Sequence, residues 1–145
     1  MKLKKNTHMK NKDFFFSHAE KDGEIVAKLA HNIGEDKVWL YEWEVKPGDS
    51  IFKFDKAISK CRIFVLFWSQ NACRSKWVNE EINQARLRLL CGGRLRFVTI
   101  RLDGTPLPSG LAFRDYIDFA TKGLEYVGRR LESISVQCAD HSNLN

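Results

Sequence analysis

Short apolar runs alternate along the chain with longer segments in which apolar residues recur every three or four positions. The runs are rich in β-branched and aromatic residues, which favours β-strands. The five predicted strands are residues 13–17, 37–41, 62–69, 96–102 and 115–119. The third of these is almost entirely apolar, which is typical of a central parallel strand that is covered on both faces.

The segments between the runs have the period of an α-helix. Ile25, Leu29 and Ile33 share one helical face, and Gly34 is placed to end that helix. Serines at positions 50 and 75 are predicted to cap the next two helices, because a serine oxygen can accept a backbone N–H there. The second of these is expected to run to residue 90. A last helix carries Leu124, Val127, Leu131 and Ile134.

This alternation predicts an α/β, flavodoxin-like fold, in which a five-stranded parallel sheet has helices on both faces. Ligands of such sheets bind beyond the carboxyl ends of the strands. Functional residues are therefore expected in the loops that follow the first four strands. These loops are SHAEKD, YEWEVKPGDS, SQNACRSKW and RLDGTPLPSG.

The composition fits one soluble domain, since 43% of the 145 residues are hydrophobic and 29% are charged. The longest purely apolar run, residues 63–68, is too short to span a bilayer, so no membrane contact is expected. Residues 1–12 hold five of the 24 basic residues and are predicted to form a flexible leader. The rest is nearly neutral, so a nucleic-acid partner is not expected despite the net charge of +6. We expect the domain at residues 13–137 and a polar tail or linker at 138–145.

Four cysteines without a CxxC pair indicate a reduced, cytoplasmic protein, and no cluster has the spacing of a metal site. The loops lack the GxGxxG and GxxxxGKS phosphate-binding motifs and the GxSxG nucleophile motif. The third strand ends in Trp68-Ser69, without the aspartate of a phospho-acceptor domain. A nucleophilic Cys73 assisted by His18 is a minor alternative.

Three segments, in order, resemble the TIR (Toll/interleukin-1 receptor) domain family, and most closely its bacterial members. DFFFSHAEKD resembles the family's first strand and loop, VWLYEWEVKPGDSI its BB-loop, and FVLFWSQNACRSKWVNEEI its third conserved segment. The later strands are also similar, so the resemblance covers roughly residues 13–135. Two positions depart from the family pattern: Tyr41 stands where many members have aspartate, and Trp68 stands where a smaller residue is usual.

The resemblance implies cleavage of NAD⁺ at its nicotinamide–ribose bond, with NAD⁺ as substrate and no further cofactor. The products would be nicotinamide and either ADP-ribose or a cyclic ADP-ribose, in a bacterial antiviral or cell-death response. Glu81, four residues after Trp77, matches the family's catalytic glutamate. The expected substrate-binding residues are Ser17, His18, Ala19, Glu20, Trp43, Ser50 and Trp77. The expected BB-loop interface residues are Lys46, Pro47, Gly48 and Asp49.

The residues themselves agree with this assignment but leave alternatives open. A spacing of four puts Trp77 and Glu81 on one helical face, and one carboxylate can stabilise an oxocarbenium-like ribose without a general acid. By spacing alone, however, Glu81 resembles a solvated acid that complements the helix dipole, as does Glu80. His18 is equally well read as a structural histidine, and Trp43 as a residue of a subunit contact.

Two other functions are compatible with the sequence. The first is a non-enzymatic assembly module that docks on another TIR domain, or on a second copy, through the BB-loop. The second is nucleic-acid binding through a basic stretch that we otherwise interpret as solvated surface. That stretch comprises Arg86, Arg88, Arg94, Arg96 and Arg101.

Overall fold

Five parallel strands form the centre of the computed structural model, which describes residues 11–44, 52–92, 94–108 and 116–143. The strands are β1 (Lys12–Ser17), β2 (Val38–Leu40), β3 (Cys61–Trp68), β4 (Arg96–Arg101) and β5 (Tyr116–Asp118). Their order across the sheet is β2-β1-β3-β4-β5. The predicted flavodoxin-like sheet is therefore confirmed, with strand ends within two residues of the predicted ones.

Six helices connect and cover the strands in the described part of the chain. They are α1 (Gly23–Ile33), α2 (Tyr41–Glu44), α3 (Phe52–Lys60), α4 (Gln70–Cys73), α5 (Lys76–Leu90) and α6 (Phe119–Asn143). Ser75 caps α5 as predicted, because its Oγ accepts a hydrogen bond from the backbone N–H of Val78 at 3.1 Å. Gly34 follows α1 with a φ of 129°, a conformation that disfavours any residue with a side chain.

The two faces of the sheet carry separate apolar clusters, because successive side chains of a strand point to opposite sides. Phe14 and Phe16 of β1 pack with α1 and α6, whereas Phe15 packs with α3, α4 and α5. The apolar strand β3 contributes to both clusters and pairs with β1 and β4 along its length. Its central, doubly covered position agrees with the uninterrupted apolar run at residues 63–68.

Three helices differ from the sequence prediction. The segment after β2 was expected to be a polar loop, but Tyr41–Glu44 form the short helix α2. Similarly, Ser69 caps the short helix α4 by accepting the N–H of Ala72 at 3.0 Å. Helix α6 begins at Phe119 and continues to Asn143, with a break at Gly123. It therefore continues past Ile134, and Cys138 still packs against the cluster on the α1 and α6 face. No helix in the described ranges is long and apolar enough to cross a membrane.

Hydrogen bonds tie together the loops at the carboxyl ends of β1, β3 and β4. Asp22, in the turn after β1, accepts the hydroxyl of Ser69 at 2.5 Å and the side-chain amide of Asn71 at 3.0 Å. Asp103, after β4, accepts the backbone N–H of Gln70 at 3.1 Å. The indole of Trp68 donates to the carbonyl of residue 106 at 2.8 Å, so the larger residue at this unusual position anchors the loop after β4.

Candidate functional site

Glu81 is a buried carboxyl group beside the carboxyl end of β1. It lies on the second turn of α5, and only 1% of the residue is exposed. Ser17, the last residue of β1, donates a hydrogen bond from its Oγ to Oε1 of Glu81 at 2.5 Å. Trp77, one helical turn earlier, contributes a second side-chain hydrogen bond. Strand β1 and helix α5 therefore each contribute one hydrogen bond that fixes the position of this carboxyl group.

Burial raises the pKa of Glu81 to about 8, because a charged carboxylate loses its hydration inside the protein. The hydrogen bonds from Ser17 and Trp77 act in the opposite direction, since they favour the charged form, and the negative charge of Glu42 adds to the increase. Strongly perturbed pKa values are typical of catalytic groups, although structural groups also show them. This burial excludes the solvated interpretation of Glu81, whereas its neighbour Glu80 is exposed as expected.

An open cavity of about 360 Å³ lies beside this carboxyl group. Its lining comprises His18, Glu20, Tyr41, Glu42, Ser75 and Trp77. The rings of Tyr41 and Trp77 meet edge to face, with centroids 5.0 Å apart. Trp77 both lines the cavity and is hydrogen-bonded to Glu81, so the carboxyl group lies next to one wall of the cavity.

A second carboxylate in the cavity pairs with a buried histidine. His18 is 6% exposed, and its Nε2 lies 2.8 Å from Oε2 of Glu42, whose side chain is 43% exposed. Partial burial raises the pKa of Glu42, but the hydrogen bond and the charge of His18 outweigh this effect and bring that pKa below its ordinary value. The other ring nitrogen, Nδ1, is buried and has no hydrogen-bond partner among the residues described.

Comparison with known families identifies the fold that carries this site. A sequence model of the TIR domain matches residues 14–132. The chain belongs to the TIR domain family. No curated protein sequence matches it.

Solved TIR domain structures agree in fold. The TIR domain of the Toll-related receptor TRR-2 from Hydra magnipapillata aligns with a TM-score of 0.67 at 16% identity, over 87% of this chain and 98% of that one. The TIR domains of the activated Roq1 resistosome, which directly recognises the pathogen effector XopQ, align with a TM-score of 0.54 at 22% identity. That alignment covers 89% of this chain and 84% of the other. At these identities the likeness concerns the fold alone.

The structure brings together several of the residues that the sequence of this TIR domain singled out. His18, Glu20 and Trp77 line the cavity, and Ser17 contacts Glu81 behind it. Ala19 is buried against the apolar cluster that contains Phe15, so its side chain serves packing. The predicted BB-loop residues Lys46, Pro47, Gly48 and Asp49 and the predicted substrate contact Ser50 lie outside the described residues.

Trp43 is placed differently from its predicted role in substrate binding. Its ring contacts His31 of α1, with centroids 5.0 Å apart, and packs against the cluster on the α1 and α6 face. Trp77 belongs to the opposite cluster, and the lining of the cavity includes Trp77 but not Trp43. The unexpected helix α2 explains why Tyr41 lines the cavity and Trp43 does not, because successive side chains of a helix point in different directions around its axis.

The sequence did not single out the cavity residues Tyr41, Glu42 and Ser75 as ligand contacts. Tyr41 was noted only as a departure from the family pattern, and Ser75 only as a helix cap. The pairing of Glu42 with His18 joins residues 24 positions apart, so no local motif marks it.

The basic stretch of this TIR domain includes a partly buried arginine that is bonded to the backbone. Arg88 donates to the backbone carbonyls of Ile58, Cys61 and Arg94, the last two at 2.8 and 2.9 Å. Arg101 donates from Nε to the carbonyl of Asp103 at 2.9 Å. Two of the five arginines are therefore held by backbone carbonyl groups.

Neither a metal site nor a cysteine nucleophile is assembled in the described ranges. There, no group of three His, Cys, Asp or Glu side chains has the arrangement of a metal site. Cys73 is exposed at the end of α4, and none of the contacts described joins it to His18. The His18 ring instead uses Nε2 to bind Glu42.

Proposed function

We propose that this TIR domain is an NAD⁺ glycohydrolase in which Glu81 is the catalytic carboxylate. The observation that carries the proposal is the placement of Glu81, which is 1% exposed, bonded to Ser17 and Trp77, and adjacent to an acidic cavity. A buried carboxylate with a pKa raised to about 8 is costly to the fold, which is typical of a functional group.

The chemistry requires little beyond one negative charge. When the bond between the ribose C1′ and the nicotinamide nitrogen breaks, the electron pair stays with nicotinamide, which leaves as a neutral molecule. The positive charge moves to the ribose, as in glycoside hydrolysis. Water then attacks C1′ and releases a proton to give ADP-ribose, or a nitrogen of the adenine attacks to give a cyclic product.

Glu81 in its ionised form would stabilise this developing positive charge. A carboxylate in a site that excludes water interacts more strongly with a cation than one in solvent, because the local dielectric is lower. The positive charge of the bound pyridinium ring also favours the ionised form of Glu81. Substrate binding and ionisation therefore support each other.

The substrate reaches Glu81 only after a rearrangement around the cavity. The lining of the cavity does not include Glu81, and the residue is 1% exposed. Trp77, which lines the cavity and is hydrogen-bonded to Glu81, is the nearest described link between the two. The described structure therefore represents a closed form of the proposed enzyme, with the catalytic group protected from water.

The matched test compares two neighbouring glutamates on α5. Nicotinamide release from NAD⁺ should be lost in Glu81→Gln, which keeps the shape of the buried side chain. It should persist in Glu80→Gln, because Glu80 is exposed. Chromatography of the second product separates hydrolysis from cyclisation. Equal turnover by the wild type and Glu81→Gln would refute the assignment.

The alternative is a non-enzymatic module that docks on a second TIR domain through the BB-loop. TIR domains generally associate with one another, and Trp43 lies outside the cavity, which fits a contact role better than a substrate role. In that case Pro47→Ala would abolish self-association, measured by light scattering, while no NAD⁺ is consumed at any protein concentration. A cytoplasmic location and a role in bacterial antiviral or cell-death signalling are part of the leading proposal, that the domain is an NAD⁺ glycohydrolase.

A further inference from the structure

The His18–Glu42 pair leaves one ring nitrogen without a partner. Nε2 of His18 lies 2.8 Å from the Glu42 carboxylate, whereas Nδ1 is buried and unpaired within the described part of the chain. A buried polar atom without a partner has lost its hydration without gaining a hydrogen bond, which destabilises the fold. Such an atom calls for a physical explanation, and an unfilled ligand site is one.

The pair determines where the imidazole proton lies. A carboxylate can only accept hydrogen bonds, so the ring nitrogen beside Glu42 must carry the proton. In the neutral ring, Nδ1 is then an acceptor with a free lone pair. Desolvation of Glu42 raises its pKa, but the hydrogen bond from His18 contributes to a net lowering, which favours the ionised form that accepts the Nε2 proton.

The N-terminus of α1 supports the same arrangement. A Cβ atom at Gly23, the first residue of α1, would lie 3.2 Å from Oε2 of Glu42 and 3.8 Å from Nε2 of His18. The carboxylate is therefore close to the positive end of an eleven-residue helix, which favours negative charge. Glycine at this position leaves room for the pair.

We propose that Glu42 is a positioning residue that holds His18 protonated at Nε2, so that Nδ1 accepts a hydrogen bond from the bound dinucleotide. This inference rests on the proposed function, since it assigns a binding role within the same cavity. The donors that such a ligand offers are the carboxamide N–H of nicotinamide and the hydroxyl groups of the ribose. His18 lines the cavity but its Nδ1 is buried, so the ligand reaches this atom only after a rearrangement of the cavity wall.

The protonation of His18 can be measured without any turnover. Long-range ¹H–¹⁵N spectra of the neutral ring, recorded at alkaline pH, report which ring nitrogen carries the proton. The His18→Gln variant assigns the signal among the four histidines. We expect the Nε2–H form with a free Nδ1 in the wild type. The Nδ1–H form, or an Nδ1 that is already hydrogen-bonded in the free protein, would overturn the proposal.

Two substitutions separate the acceptor role of Glu42 from its charge. Glu42→Gln removes the charge but keeps an oxygen that can accept from Nε2–H, so the Nε2–H form should persist. Glu42→Ala removes the acceptor, so the two neutral forms of the ring should mix. The control is Glu44→Gln, on the same helix, whose carboxylate lies 2.6 Å from Nζ of Lys12. It should leave the His18 spectrum unchanged.

Binding is then tested in Glu81→Gln, which holds the substrate intact. Addition of NAD⁺ should change the ¹⁵N chemical shift of His18 Nδ1. Separate additions of nicotinamide and ADP-ribose then identify which part of the substrate donates the hydrogen bond. Adding Glu42→Ala should weaken NAD⁺ binding about 5- to 10-fold, the effect of one hydrogen bond, while Glu42→Gln should stay near the parent affinity. The proposal would be contradicted if NAD⁺ bound without changing the Nδ1 chemical shift. It would also be contradicted if Glu42→Ala left the affinity for NAD⁺ unchanged. A wild type without turnover that still shows these effects would contradict only the proposed reaction.

Discussion

Replacing Glu81 with glutamine should stabilise the protein increasingly as the pH rises. In the folded state burial raises the pKa of Glu81 to about 8, whereas the unfolded chain has an ordinary value near 4.5. Between these values the folded state binds more protons than the unfolded state. The free energy of unfolding of the wild type therefore falls with increasing pH over this interval. Glutamine has no proton to lose, so this loss is absent from Glu81→Gln.

The magnitude follows from the separation of the two pKa values. Each pH unit between them costs the wild type about 1.4 kcal/mol. The total is about 3 kcal/mol at pH 7 and about 5 kcal/mol once the pH exceeds 8. Since a domain is stabilised by only about 5–15 kcal/mol, this is a large fraction. For a chain of this size, 3 kcal/mol corresponds to about 10 °C in Tm.

Urea unfolding of both proteins, at intervals from about pH 4.5 to 8.5, measures the effect. The two free energies should be similar at the acidic end and diverge in favour of Glu81→Gln as the pH rises. Glu80→Gln is the control, since an exposed carboxyl has nearly the same pKa in both states and should follow the wild type. Parallel curves for the wild type and Glu81→Gln would refute the raised pKa. If the wild type instead became more stable relative to Glu81→Gln as the pH rises, the pKa of Glu81 in the folded state would be lowered rather than raised.

Three further outcomes follow from the same contacts. If NAD⁺ is cleaved, kcat/KM should increase with pH and level off above an apparent pKa near 8, because Glu81 of the free enzyme must be ionised. A kcat/KM that does not change between about pH 6 and about pH 9 would exclude this role. Ser17→Ala removes the hydrogen bond that lowers the pKa of Glu81, so that apparent pKa should move upward by about one unit, as measured by the same kinetics. Arg88→Met removes the donor to three backbone carbonyls and should lower the free energy of unfolding by about 2–4 kcal/mol in urea titration, whereas the exposed Arg86 should tolerate methionine.

The sequence predicted the sheet well because periodicity reports burial. A strand that is covered on both faces is mostly apolar, so the apolar run at residues 63–68 made the predicted strand 62–69 recognisable as central, and β3 spans Cys61–Trp68. The short helices α2 and α4 were not predicted, because four residues are too few to show a helical period. The displacement of Trp43 from its expected role follows directly from α2.

The candidate site was predictable only where a local pattern reflects it. The spacing of Trp77 and Glu81 on one helix is visible in the sequence, and the structure keeps both side chains together. The burial of Glu81 is not visible, because it depends on Ser17, 64 positions earlier. The pair formed by His18 and Glu42 likewise joins the ends of two neighbouring strands, which only the folded sheet brings into contact.

The same burial that makes Glu81 costly to the fold also suits it to the proposed reaction. A solvated carboxylate would add little to the stabilisation of a cation, because water already screens the charge. A carboxylate kept in a water-poor site, and ionised as a cationic substrate enters, supplies that stabilisation at the moment of bond cleavage. The fold therefore sacrifices stability at Glu81 that the exposed Glu80 does not require. If Glu81 were only structural, a glutamine of the same shape would serve the fold at least as well at neutral pH, so the comparison of Glu81→Gln with the wild type separates the two roles.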